Sequence, residues 1–286
     1  AVHWTQASPG TSPPARFGGV EAYDKAHQTL VLFGGAGDTG TLGDTWVWNG
    51  TNWRQMHPAT SPPARIYHYM AYDSTHHYVI LFGGVTTSWV NDTWTWDGTN
   101  WTQRFPAASP SPRASYAGIS DDPAIGGALL YGGYDQTNVF FDTWRWNGTN
   151  WIQLSPANHP NYYLASMVYS APSGKVLAYV QGTAETWTFD GTNWVQRFPS
   201  SFPPSRYENG FGALGKGGLL FGGGSGGSFF GDTWYFNGTN WTQVVGSGPS
   251  ARGYVSLALD RNGRVVLFGG LDSSYVTLGD TWTFAP

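Results

Sequence analysis

Five arginines recur at the same point of a repeated unit: Arg16, Arg65, Arg113, Arg206 and Arg252. A guanidinium is a planar fork of donors that matches carboxylates and sugar hydroxyls. Tyr163 fills the same slot in the fourth unit. Around the slot stand residues that do not repeat, namely Tyr67, His68, Tyr116, Tyr162, Glu208, Asn209 and Tyr254. Phe229 and Trp89 also depart from the repeat, and Trp89 offers an aromatic platform for a sugar or an aromatic ligand. This set predicts a ligand site, with the arginine forks offered to carboxylates or sugar hydroxyls. The competing expectation is that each arginine ties adjacent segments together through backbone carbonyls. Catalysis would need an acid–base pair, for which Glu208 and His68 are the candidates. Hydrolysis of a glycoside commonly takes two carboxylates, and only Glu208 is both non-repeated and close to the slot. Asp38, Asp135 and Asp272 look like turn formers. His76-His77 lacks a third ligand at metal-binding spacing, and no metal or cofactor is expected.

The elements that must position these residues follow from the repeat. Asp-Thr-Trp begins at Asp44, Asp92, Asp142, Asp232 and Asp280, with Glu-Thr-Trp at Glu185. The spacings of 48, 50, 43, 47 and 48 residues are those of a propeller blade or a solenoid unit. Each unit has four β-like segments. In the first they are Arg16 to Tyr23, Leu30 to Gly35, Asp44 to Trp48 and Asn52 to Gln55. Asn49-Gly50, and its counterparts through Asn237-Gly238, predicts a two-residue type I′ turn between the third and fourth segments. The acid of Asp-Thr-Trp is expected to make a local bond to the backbone where its strand begins. The repeated tryptophans are expected to pack between neighbouring sheets.

The chain opens on Val2-His3-Trp4-Thr5-Gln6, a fourth segment with no preceding three. It closes on Asp280-Thr281-Trp282-Thr283-Phe284, a third segment with no fourth. Joined, they make six whole units. The expected fold is all-β: one domain over 1–286, a six-bladed β-propeller of four antiparallel strands per blade. The N-terminal strand completes the C-terminal blade and closes the ring. A Gly-Gly pair ends the second segment at Gly34-Gly35, Gly83-Gly84, Gly132-Gly133, Gly222-Gly223 and Gly269-Gly270. With the opening Arg, the Asp-x-Trp third segment and the Trp of the fourth, these features resemble the kelch-repeat family of β-propellers. The resemblance covers the whole chain. It implies a propeller scaffold whose members include peptide receptors, lectin-like modules and enzymes. In its peptide receptors the corresponding arginines line a central pocket and read acidic ligands, which here implies such a role for the five. Copper-oxidase relatives use a cysteine-linked tyrosine, and this chain has no Cys.

Chain direction puts the short turns on one face and the longer, varied loops on the other, where a rigid scaffold presents binding residues. The fourth unit loses its 2–3 loop between Gly182 and Glu185, which is expected to open a notch in that wall. Net charge is −4, so no global field draws in nucleic acid, and no apolar run is long enough to span a bilayer. The expected function is non-catalytic recognition of a glycan or an acidic peptide or protein on the long-loop face. The alternatives are a sugar-modifying enzyme resembling a sialic-acid epimerase and a structural or adhesive scaffold. Low Lys, abundant Thr, Asn, Gly and Ser, and no Cys suit an exported bacterial protein, expected to be monomeric. The sequons at Asn49, Asn147 and Asn237 follow from turn chemistry.

Overall fold

The structure, a computed structural model, describes residues 3–115 and 118–285. Six four-stranded antiparallel sheets form a six-bladed β-propeller. The first blade runs from the axis outward as Val20–Asp24, Thr29–Phe33, Thr45–Trp48 and Trp53–Met56. The inner strands of the other blades are Tyr69–Asp73, Ile119–Asp122, Ala165–Ser170, Gly210–Leu214 and Leu257–Leu259. Each inner strand contacts the next, and the sixth contacts the first. The outermost strand of the sixth sheet is His3–Ala7, paired antiparallel with Thr281–Ala285 from Trp4 opposite Phe284 to Gln6 opposite Trp282.

The first strand starts later than the alternation at Arg16 suggests. Gly18 turns the chain at φ 65°, and ladder pairing begins only at Val20. The outer hairpin also differs from the expected type I′ turn. Its central residues are Gly50 and Thr51, and only Gly50 has positive φ. The Asn49 side chain accepts hydrogen bonds from the Thr51 and Asn52 N–H groups, so its amide supplies what a second left-handed residue would have.

Two bonds repeat at all six interfaces. The outer-strand indole donates to the Thr that follows the acid in the preceding blade: Trp4 to Thr233, Trp53 to Thr281, Trp101 to Thr45, Trp151 to Thr93, Trp194 to Thr143 and Trp241 to Thr186. These six indoles are buried, so the repeated outer-strand tryptophans are packing residues. The second bond runs from the later glycine of each pair, or Gly182 in the fourth blade, to the carbonyl of the next blade's Arg, or Tyr163 in the fourth blade, as from Gly35 to Arg65 at 2.9 Å, and closes the circle from Gly270 to Arg16 at 2.9 Å. Gly34 must be glycine on two counts. Its φ is 67°, and a Cβ there would lie 2.6 Å from the Arg65 oxygen.

The axial channel, a cavity of about 200 Å³, is lined by all six inner strands. Its wall is mainly apolar, with Glu21 in the first inner strand, and Tyr23, Tyr72, Tyr169 and Asp121 where the inner strands run toward the short turns. None of the five arginines lines it.

Candidate functional site

The expected arginine ring is instead five internal ion pairs. Arg16, Arg65, Arg113, Arg206 and Arg252 are at most 1% exposed. Each guanidinium grips the acid of its own blade's Asp-Thr-Trp with two nitrogens: Asp44, Asp92, Asp142, Asp232 and Asp280. In the second blade the two bonds are 2.7 and 2.8 Å. Arg65 Nη1 also donates to the Gly83 carbonyl, and Nε donates to that of Pro63. The same acid accepts the indole N–H two residues on, as Asp92 does from Trp94 at 2.7 Å. The acid therefore anchors an arginine and an indole in addition to its own backbone N–H. Burial alone would raise the Asp92 carboxyl, but the bonds and charge of Arg65, with the Trp94 indole, outweigh it and hold the carboxyl below its usual range. Every fork is spent inside the protein, so the arginines offer nothing to an acidic ligand.

The mouth of the channel on the long-loop face is built by the residue two positions after each arginine. Gly18, Tyr67, Glu208 and Tyr254 hold this place with φ between 56° and 65°. Their peptides form a belt across the blades. Ser115 N–H donates to Tyr67 O, Tyr67 N–H to Gly18 O, Gly18 N–H to Tyr254 O, and Tyr254 N–H to Glu208 O. The Glu208 N–H has no peptide carbonyl to meet in the fourth blade. The Gln181 side chain takes it at 2.9 Å, where the other blades carry the first glycine of the pair. Three non-glycine residues in the left-handed region store strain at this rim, as functional sites often do.

Beside the belt, between the fifth and sixth blades, lies a pocket of about 240 Å³. Phe229, Tyr254, Tyr275 and Glu208 line it, with Ser273, Tyr207 and the chain of Gly224 to Ser228. Phe229 meets Tyr254 edge to face at 6.0 Å, and Tyr67 stacks on the same tyrosine at 6.1 Å. The Tyr254 phenol hydrogen-bonds the Glu208 carboxyl. Burial raises the Glu208 carboxyl above its usual range, and the phenol works in the opposite direction. Burial and the adjacent Glu208 raise the Tyr254 phenol as well, so it remains a neutral donor.

Among the other sequence-predicted residues, Tyr67 sits at the belt, and Glu208 and Tyr254 share the pocket. His68 does not reach it. It is fully buried beside Phe33, and among the described residues neither ring nitrogen has a hydrogen-bond partner. Burial, reinforced by the Arg65 charge, keeps it neutral. The Glu208–His68 acid–base pair is therefore not formed. Asn209 is also fully buried and donates to Ser166 at 3.2 Å. Trp89 is half-buried in its hairpin, opposite Val85, and does not line the pocket. Tyr163 stacks on Tyr162 at 4.6 Å and meets Tyr134 edge to face. Tyr116 lies outside the described residues. The notch expected at the fourth blade is filled. Tyr207 lies against Gly182, its hydroxyl 3.2 Å from that of Tyr162. Sequence reasoning missed Tyr207, Tyr275 and Gln181 as site residues.

Among the described residues, no three His, Asp or Glu side chains are grouped to hold a metal ion, and no helix is long and apolar enough to cross a membrane. Fold and site together define a six-bladed β-propeller, a scaffold commonly used for interaction and binding. No protein-family model matches the chain, and no curated protein matches it.

Proposed function

We propose that this protein is a non-catalytic binding module of the kelch-repeat type that recognises a saccharide at the long-loop pocket between the fifth and sixth blades. One observation carries the reading: the aromatic residues Phe229, Tyr254 and Tyr275, a carboxyl acceptor and the serines 225, 228 and 273 line a single cavity beside the channel mouth. Pyranose rings present apolar faces that stack on aromatic rings, and hydroxyl edges that donate to carboxylates. The pocket is small, mostly pre-formed and walled by a rigid sheet scaffold, as ligand sites tend to be. A composition that suits an exported protein supports the reading, since extracellular glycans would then be within its reach.

The test is a broad glycan array followed by calorimetric titration of the best hit. Tyr275 is 76% exposed and has φ 61°. Tyr275→Gly removes the ring and suits the backbone. The expected result is about tenfold weaker binding, one stacking contact's worth, with no fall in melting temperature. A blank array, or full affinity in the variant, overturns the assignment of this pocket.

A further inference from the structure

The proposed saccharide site has a charge preference, and it is opposite to the one the arginines first suggest. Each of the five guanidiniums is enclosed and matched to its own aspartate. The three lysines, Lys25, Lys175 and Lys216, all lie in or beside the short turns on the opposite face. The residues lining the pocket include no cation, and their one carboxyl is that of Glu208. Asp272 lies in the same hairpin as Ser273 and Tyr275 and adds to the negative field. Its carboxylate is bound by the N–H groups of Ser274 and Val276.

The aromatic walls act in the same sense. The face of a phenyl or phenol ring carries the negative lobe of its quadrupole, and rings around an acid are a recurring arrangement for ammonium groups. Glu208 is held in place for this. Its N–H is bonded to Gln181, and its carbonyl accepts from Tyr254, so the belt fixes the backbone from which the carboxyl projects. Its present partner, the Tyr254 phenol, is neutral and satisfies only part of a carboxylate's acceptor capacity.

Resting on the saccharide reading, we infer that the pocket selects a cationic sugar, one whose free ammonium is received by Glu208 beside the rings of Tyr254 and Phe229. A de-N-acetylated hexosamine has this chemistry. Its ammonium donates to the carboxylate while its ring lies on an aromatic face. N-acetylation removes the charge and adds bulk where the ammonium would sit, and an acidic sugar would face Glu208 with like charge.

Three tetrasaccharides of equal length test this: β-1,4-linked glucosamine, its fully N-acetylated form and the glucose tetramer. Each is titrated calorimetrically into the whole protein at low salt. The expected result is that the glucosamine tetramer binds about tenfold or more tighter than the other two. Raising the salt toward 1 M should shrink that ratio. In Glu208→Gln, which keeps the side chain's shape and a bond to Tyr254, the ratio should fall toward one. Equal binding of all three by the wild type overturns the cationic preference and leaves the saccharide reading standing. No binding of any oligomer, on top of a blank array, removes both readings.

Discussion

Replacing Glu21 with leucine should make this protein more stable, and the gain should grow with pH. Glu21 sits in the first inner strand, 4% exposed. Its neighbours Val20 and Ala22 pack into a cluster shared with Met70, Val79 and Leu81 of the second blade. Alternation then turns Glu21 the other way, toward the sixth blade. Ladder register places Met70, Ile119, Phe211 and Leu257 at the same point of their blades, all apolar and buried. Among the described residues no group completes a well-formed hydrogen bond to either Glu21 carboxyl oxygen, although the Phe268 backbone N–H approaches the carboxyl. Burial raises its proton affinity well above the usual carboxylate range, only partly opposed by the Phe268 backbone N–H. A buried, unsatisfied polar group costs about 1–3 kcal/mol, so Glu21→Leu should gain about 2 kcal/mol. In a chain of this size that is a rise of roughly 4 °C in melting temperature. Because the folded-state value is raised, the wild type binds the Glu21 proton more tightly when folded. That contribution is complete below the unfolded value and is lost as pH rises through the folded one. Calorimetric melting of both proteins at about pH 5 and about pH 8 should therefore show the wider gap at the higher pH. A variant that melts below the wild type, or a gap independent of pH, refutes the reasoning.

Arg65→Ala should cost about 3 kcal/mol, because it strands Asp92 and the Gly83 carbonyl, and Arg65→Lys should recover little of the forked pairing. Chemical denaturation checks this, and saccharide affinity of the folded fraction should not change. Trp101→Phe keeps a buried ring but loses the bond to Thr45, and about 1 kcal/mol should go with it in the same assay. Asp121, in the channel wall beside the short turns, has its carboxyl raised to about 6, chiefly by burial and further by Asp73, with Ser74 and Lys25 opposing. Its share of stability, no more than about 3 kcal/mol, is lost as pH rises through that value. Asp121→Asn should flatten the stability profile between about pH 4 and pH 7, with the slope due to Asp122 and Glu21 remaining.

Period and blade number were legible because the residues that build interfaces must repeat. Every blade needs a buried outer tryptophan, and nearly every blade needs two glycines where the next chain passes close. The arginine–aspartate pairs were not legible as pairs. Their members are 28 residues apart in the first blade, and each has a plausible role alone. The signal was nonetheless present within the chain: the fourth unit loses both together, with Tyr163 for the arginine and Glu185 for the aspartate. Two features that vanish in the same repeat are partners. The pocket was half legible. Glu208 and Tyr254 stood out as departures from the repeat, whereas Tyr275 lies at a hairpin tip with no counterpart to compare. Gln181 stands where the other blades carry the first glycine of the pair, and its side chain supplies the carbonyl that the belt lacks.

The six indole–threonine bonds all point the same way round, each blade holding the one before it. Such a ring has no privileged starting point. His3 and Ala285 are partners in one ladder, so a short linker suffices to join them. A circular permutant cut between Gly50 and Thr51 would then meet every contact the present chain makes apart from that turn. The polypeptide's order is one of six near-equivalent ways of threading the same closed object.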